Sequence, residues 1–301
     1  MSLIEKIIDH SINYPNKTAF IFNNESISYK DFLGDIKKVA ENLKKDGAKE
    51  KDLILIRSEN RYEFICCYFA IQIINCVVAN IPNDASKDYE DFIFSEVKPK
   101  IFIKECKDFF DNCKNISFSQ RVKINTFDTS DILFTSGTTD RPKGVTFSHD
   151  QIYKATAHIV KNVGNKFDDI EIILMPLSHS FGLARLRSVL FQGGTSIIGI
   201  PLNRLKKVFK AIEDYNVSGF GLVPAAWKFI TTLSGDKVEK FSKQLNYIEF
   251  GSAYMSPEDK KHIKNLFPST NLMMHYGLTE VSRAVFLDFH KGDLNSVGST
   301  K

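Results

Sequence analysis

Two hydrophobic periods alternate along this chain. Residues 2–13 carry an amphipathic helical pattern, whereas 18–22 (Thr-Ala-Phe-Ile-Phe) and 26–28 are short runs suited to strands, with Asn23-Asn24 as the turn between them. Tyr29–Lys45 returns to the helical period: Phe32, Leu33, Ile36, Val39, Ala40 and Leu43 form one apolar stripe, and Gly47 ends it. A strand at 53–56, a helix at 61–74 and a strand at 76–81 follow. Further strands are expected at 101–103, 131–135, 170–175, 195–200, 219–223 and 247–250, with helices between them. Strand–helix alternation over the whole length predicts parallel sheets covered by helices, with ligands at the carboxyl ends of the strands. No internal repeat, low-complexity tract or linker interrupts the pattern.

Composition narrows the class. The 301 residues, 43% apolar and 25% charged, suit a soluble globular protein of one large or two medium domains. No apolar run approaches the roughly 20 residues that span a bilayer. The opening Met-Ser-Leu-Ile-Glu-Lys lacks the apolar core of a signal peptide, so a cytoplasmic location is expected. A net charge of +4 from 40 basic and 36 acidic residues suits a small anionic ligand and is too modest for nucleic acid. The pairs Lys37-Lys38, Lys44-Lys45 and Lys206-Lys207 read as solvated helix faces. Five cysteines (Cys66, Cys67, Cys76, Cys106, Cys113) without a Cys-x-x-Cys pair argue against a disulfide framework or a structural zinc site, and Cys66 and Cys67 read as core.

The candidate chemistry lies in three constellations. In Asp131-Ile-Leu-Phe-Thr-Ser-Gly-Thr-Thr-Asp-Arg-Pro-Lys-Gly-Val145 a strand runs into a loop of hydroxyl residues around Gly137, followed by Lys143 and Gly144. Backbone N–H groups and hydroxyls can wrap phosphate oxygens, and a lysine can neutralise them. Composition alone allows an ordinary surface turn just as well, and the loop is not the Gly-x-x-x-x-Gly-Lys-Ser/Thr type. The second is Met175-Pro-Leu-Ser-His-Ser-Phe-Gly-Leu183, at a strand end; its His179 is either structural or a ligand contact. The third pairs Gly251-Ser-Ala-Tyr-Met-Ser-Pro-Glu258 with Met274-His-Tyr-Gly-Leu-Thr-Glu280. Tyr276 offers a flat face, Thr279 a hydroxyl and Glu280 a hard oxygen ligand. In isolation that last motif also reads as a turn followed by a helix cap.

Taken in order, these segments resemble the signature motifs of the adenylate-forming superfamily, which includes acyl- and aryl-CoA synthetases. Asn13-Tyr-Pro-Asn-Lys-Thr-Ala19, Ile27-Ser-Tyr-Lys-Asp-Phe32 and Leu222-Val-Pro-Ala225 extend the likeness over essentially the whole chain. The resemblance implies an α/β fold: two packed parallel-sheet βα subdomains of the family's N-terminal domain, roughly 50–190 and 1–49 plus 191–301, with the C-terminal domain absent. It also implies roles. Thr135, Ser136, Gly137, Thr138, Thr139 and Lys143 would hold the ATP phosphates. Gly251, Ser252, Ala253, Tyr276 and Gly277 would lie against the adenosine, Thr279 against the α-phosphate, and His179 beside the reacting carboxylate. Glu280, with Thr138, would bind Mg2+. Lys143, His179 and Glu280 are the expected catalytic residues. Ser178-His179-Ser180, where amino-acid-activating relatives place an aspartate nearby, favours a fatty or aryl acid over an amino acid.

Two positions depart from the family pattern. Asp140 stands where glycine is usual; a carboxylate about 4 Å from a phosphate charge costs about 4 kcal/mol at an effective dielectric near 20, less if turned to solvent beside Arg141. Ser252 replaces a second glycine.

The implied reaction is ATP-dependent activation of a carboxylic acid to an acyl-adenylate with release of pyrophosphate, then transfer to CoA. Asn295-Ser-Val-Gly-Ser-Thr-Lys301 resembles a segment found mid-protein in the family, so the ribose-binding aspartate, the hinge and a second catalytic lysine are expected to be missing. The chain alone is then expected to adenylate poorly. The expected partners are the acid, ATP and CoA, with no nucleic acid and no membrane span; a homodimer stays open. The alternative is a non-catalytic ligand-binding or scaffold remnant of the same fold.

Overall fold

The structure, a computed structural model, describes residues 1–118, 122–135 and 141–299. It divides into two compact units, Met1–Lys154 and Ala155–Lys301. The division expected from the sequence, 50–190 against 1–49 with 191–301, cuts the chain elsewhere and stays an expectation.

The first unit begins with α1 (Leu3–Asn13), whose Ser2 and Glu5 form a reciprocal capping box. The hairpin of β1 (Thr18–Phe22) and β2 (Glu25–Ser28) turns on Asn23 and Asn24, both at positive φ, the conformation a tight two-residue hairpin turn demands. Next comes α2 (Tyr29–Lys45), capped by Ser28, with the expected stripe fully buried. Then β3 (Leu53–Ser58), α3 (Tyr62–Ile73), β4 (Val77–Pro82), α4 (Lys87–Val97), β5 (Ile101–Ile103), α5 (Cys106–Asn112), β6 (Thr129–Thr135) and β7 (Lys143–Ser148) complete it. The sheet runs β5-β3-β4-β6-β7. Its first four strands are parallel and β7 is an antiparallel edge.

α3 is buried on every face, Cys66 and Cys67 included, which explains why it reads as a continuous apolar run. Its Tyr68 hydroxyl and Gln72 Nε2 (3.0 Å) both donate to the buried carboxylate of Asp131, which anchors β6 to the helix beneath it. Lys38, expected as part of a solvated face, is half-buried with its ammonium over the Phe110 ring at 3.9 Å.

α6 (His149–Val163) runs across the boundary. The second unit continues with β8 (Ile170–Ile172), α7 (Ser180–Gln192), β9 (Thr195–Ile197), α8 (Leu205–Asp214), β10 (Gly219–Leu222), α9 (Pro224–Ser234), a 3-10 turn at Gly235–Phe241, β11 (Tyr247–Phe250), α10 (Pro257–Leu266), β12 (Asn271–Tyr276) and β13 (Val285–Asp288). Its strands lie in the order β13-β12-β11-β10-β8-β9, parallel except for β13, which pairs antiparallel with β12. The α/β expectation holds, as parallel-rich sheets with antiparallel edges. Those edges, β7 and β13, are the departure from the sequence reading. Each follows its partner through a loop too short for the helical crossover that a parallel neighbour requires. The Tyr-Gly-x-Thr-Glu segment accordingly opens a hairpin, not a helix.

Candidate functional site

In the first unit, Thr135 and Lys143 face each other across the last rung of the β6–β7 hairpin, with the Thr135 hydroxyl 3.5 Å from the Lys143 carbonyl. Lys143 is exposed at the strand start. Ser136, Gly137, Thr138, Thr139 and Asp140 lie outside the described residues.

In the second unit, the carboxyl ends of parallel strands collect the other expected residues. The register Phe250↔Met274 sets Gly251 level with His275, one step beyond β11. A Cβ on Gly251 would collide with the His275 imidazole, so glycine there is a packing requirement. Tyr276, the next residue, ends β12 and is 55% exposed. Ser252 sits at φ 67°, the left-handed region, and so occupies a glycine-type conformation at a cost of about 1 kcal/mol. The direct consequence of a serine at this usual glycine position is therefore in the backbone. Ala253 is exposed and leads to Ser256, whose hydroxyl caps α10.

Gly277 starts the β12–β13 loop and is as constrained as Gly251: a Cβ would lie 2.6 Å from the Arg283 nitrogen and 2.7 Å from the Val281 oxygen. Thr279 is half-buried and Glu280 exposed in that loop. His179 is the residue before α7; its side chain does not cap the helix and is exposed. Two residues on, Phe181 meets the His275 ring edge-on at 4.8 Å, which joins the start of α7 to the β11–β12 edge.

Beneath this edge is a charge network that sequence reasoning missed. Glu171 and Glu249, on β8 and β11, are fully buried, as are Arg185 on α7 and Arg283 after β12. Arg185 donates to Glu171 from Nε (2.9 Å) and Nη2, and to Glu249 from Nη1 (2.9 Å). Tyr247 donates its hydroxyl to Glu171 at 2.6 Å. Glu249 Oε1 also receives His275 Nδ1 (2.7 Å) and Arg283 Nε (3.1 Å). Two carboxylates thus meet two guanidinium groups, and the buried charge balances.

Burial alone would raise the Glu249 carboxyl and depress the Arg185 guanidinium. The opposite charges outweigh that, so Glu249 is held well below the usual carboxylate range and Arg185 above its ordinary value. His275 goes the other way: burial, reinforced by Arg283, lowers it despite Glu249, which keeps the imidazole neutral with its proton on Nδ1. One signal existed in the sequence: Glu171, Arg185 and Glu249 each sit inside apolar runs (Ile-Glu-Ile, Leu-Ala-Arg-Leu, Tyr-Ile-Glu-Phe) where a lone charge needs a buried partner.

Glycine-tight turns after two adjacent strands, an exposed aromatic face and a rigid charged floor suit a flat anionic ligand at the strand ends. The model of the family described as AMP-binding enzyme matches residues 9–300. This chain belongs to that family.

Individual proteins are similar as well. The chain is 25% identical over 314 residues to 4-coumarate–CoA ligase-like 8 of Arabidopsis thaliana, covering 91% of this chain and 56% of that protein. It is 24% identical to the 2-succinylbenzoate–CoA ligase, chloroplastic/peroxisomal, of the same plant, again covering 91% and 56%. The chain therefore spans little more than half the length of these curated relatives. Among solved structures, ATP-bound MatB from Rhodopseudomonas palustris superposes with a TM-score of 0.86 at 20% identity, covering 99% of this chain and 64% of MatB. At that identity the likeness establishes the fold.

Proposed function

We propose that this chain supplies the nucleotide- and acid-binding part of a carboxylate-adenylating enzyme of the acid–thiol ligase type. A carboxylate oxygen attacks the α-phosphorus of ATP, an O–P bond forms, and the bond to the β-phosphate oxygen breaks to release pyrophosphate. The deprotonated CoA sulfur then attacks the acyl carbon of the acyl-adenylate, a C–S bond forms, and the acyl C–O bond to the phosphate breaks to release AMP. Family membership supports this reading, and the observation that carries it is the strand-end cluster of Gly251, Tyr276 and the His179 helix start. Fatty and aryl acids are the substrates we favour.

Both reactants are anions, so the work is alignment and charge neutralisation. Lys143, with Thr135 and Ser136–Thr139, neutralises the β- and γ-phosphates. Thr279 donates to the α-phosphate, the Tyr276 ring lies against adenine beside Gly251–Ala253 and Gly277, and His179 orients the carboxylate. Glu280 suits Mg2+: it is an exposed carboxylate without an ion pair among the described residues. Those residues hold no cluster of three or more metal-binding side chains, so the ion would draw most of its oxygens from phosphates and water, with Thr138 as a further ligand. That sharing is the habit of Mg2+. The ion would supply charge neutralisation between the phosphates.

The test is acid-dependent ATP–pyrophosphate exchange over a panel of fatty and aryl acids, alongside Mg-ATP binding. Lys143→Ala should cut exchange by about 10²–10³-fold, the usual cost of one preorganised charge-stabilising group. Because Lys143 is exposed, its thermal midpoint should stay at the parent's. Exchange that ignores Lys143 would refute its assignment. A second reading, a non-catalytic ligand-binding protein of the same fold, draws support from Asp140 and from the strained Ser252; a chain that binds neither Mg-ATP nor any acid of the panel would favour it.

A further inference from the structure

Tyr276, Gly277, Thr279 and Glu280 lie on or beside the loop of a two-strand edge hairpin, where hydrogen bonding alone leaves a loop loosely placed. Within the loop, Leu278 and Val281 exchange backbone bonds of 3.2 Å each way, which closes the turn on itself but not onto the rest of the unit. Leu278 and Val281 are both exposed, so apolar packing does not hold it down either. The anchor is Arg283. Its backbone adopts φ 55°, an angle that a residue with a side chain takes only when the surroundings enforce it. That angle turns a long cation inward beneath its own loop until it is 3% exposed.

Each part of the guanidinium then has a partner on a different element. Nε donates to Glu249 Oε1 on β11 at 3.1 Å, and Nη1 to the Ser282 hydroxyl in the loop at 3.2 Å. Nη2 faces the Phe181 carbonyl at 3.5 Å, and the guanidinium lies over the Phe181 ring, 5.0 Å from its centre. Phe181 is in the first turn of α7, two residues after His179. Glu249 is two residues before Gly251. One side chain therefore ties the loop to both other segments of the strand-end cluster. Gly277 tightens the joint, because the Arg283 backbone nitrogen occupies the space a Cβ would need.

We propose that Arg283 is a positioning residue: bound to Glu249 and seated on Phe181, it fixes the 277–284 loop relative to Gly251 and the start of α7, and so sets the placement of Thr279 and Glu280 for a magnesium-nucleotide. The inference rests on the adenylating reading above. The planar fork is essential, since lysine offers one point charge and cannot satisfy Glu249 and cover Phe181 together.

The experiment compares the parent chain with Arg283→Met, Arg283→Lys and, as a control of stability alone, Val208→Ala in the core face of α8. Mg-ATP affinity is read by calorimetry, and amide hydrogen exchange of 277–284 is read without ligand. A misplaced contact commonly costs on the order of 100-fold. Arg283→Met should lose affinity on that scale and exchange faster in 277–284 than elsewhere. Arg283→Lys should recover part of both, and Val208→Ala should keep the parent's affinity while melting earlier. Should Arg283→Met fail to fold, the lysine variant carries the test by the same two readings. A binding parent with undiminished affinity in the Arg283 variants would overturn the proposal alone, as would equal loss in Val208→Ala. A parent that does not bind Mg-ATP would overturn the adenylating reading, and this inference with it, while the exchange data would still report whether Arg283 orders the loop.

Discussion

Each of the two units closes its sheet with an antiparallel hairpin, β6–β7 in the first and β12–β13 in the second, and each hairpin carries candidate residues at its loop. Their supports differ. Lys143 stands on an exposed edge strand whose residues are exposed or half-buried, located by the backbone ladder up to the Thr135 rung. The second hairpin is pinned from below by Arg283, Glu249, His275 and Arg185, all buried in one network. A ladder fixes the backbone and leaves a long exposed side chain to follow what it binds. A buried network fixes side chains, and makes their loss expensive to the fold as well as to the site. Substitutions in the first hairpin should therefore separate binding from stability; those in the second should not.

The widest test of that contrast is Arg185→Met. Removing the cation leaves Glu171 and Glu249 facing each other without their shared partner. Breaking a buried ion pair by deleting one member typically costs about 3–5 kcal/mol. Urea unfolding followed by far-UV circular dichroism should show a loss of that order in the transition of the second unit. A loss near that of an exposed substitution would mean the network is not holding the hairpin.

A matched pair of glycine substitutions sharpens the point at smaller scale. At Gly251 an added methyl meets the face of the His275 ring, which Glu249 and Phe181 hold in place. Gly251→Ala should cost about 1–3 kcal/mol as overpacking and weaken Mg-ATP binding at the same time. At Gly144, next to Lys143, the methyl would lie 3.1 Å from an Ile132 side-chain carbon and 3.2 Å from one of Phe134, both able to yield. Gly144→Ala should change stability by roughly 0.5 kcal/mol or less. Thermal midpoints of the two variants, measured side by side, decide it, and equal losses would erase the difference between the hairpins.

The fold class, the strand–helix alternation and the strand-end positions of Gly251 and Tyr276 were legible because each is written locally, in periodicity and in a glycine after a strand-like run. α2 with its stripe, the Asn23-Asn24 turn and the buried Cys66 and Cys67 appear as read. The antiparallel edges were not legible, since strand direction depends on pairing and a β7 of exposed residues carries little hydrophobic pattern. The network was illegible for a different reason. Glu171, Arg185, Glu249 and Arg283 are spread over more than a hundred positions of the chain, and a charged side chain reads as solvent-facing unless its apolar neighbours are weighed against it. Ser252 shows the limit from the other side, because its identity was noticed but its φ was not knowable.

The smallest effect expected is a dependence on pH, and its sign follows from His275. In the folded chain this imidazole is held below its ordinary value of 6.5, chiefly by burial and then by Arg283. As pH falls through 6.5 the unfolded chain takes up the proton first, so acidification draws the equilibrium toward unfolding. The stabilisation is fully present above that pH and is lost progressively below it. Glu249, depressed from 4.5, adds a loss of the same sign at lower pH. His275→Asn isolates the upper window, since an asparagine Nδ2 can donate to Glu249 much as Nδ1 does but does not titrate. Stability of the parent should fall more steeply than that of the variant between about pH 7 and pH 5, measured by urea midpoints in matched buffers. Parallel slopes would show that His275 takes up its proton as readily in the fold as outside it, and that the floor of the second hairpin admits charge; it would then be no more rigid than the exposed edge that carries Lys143.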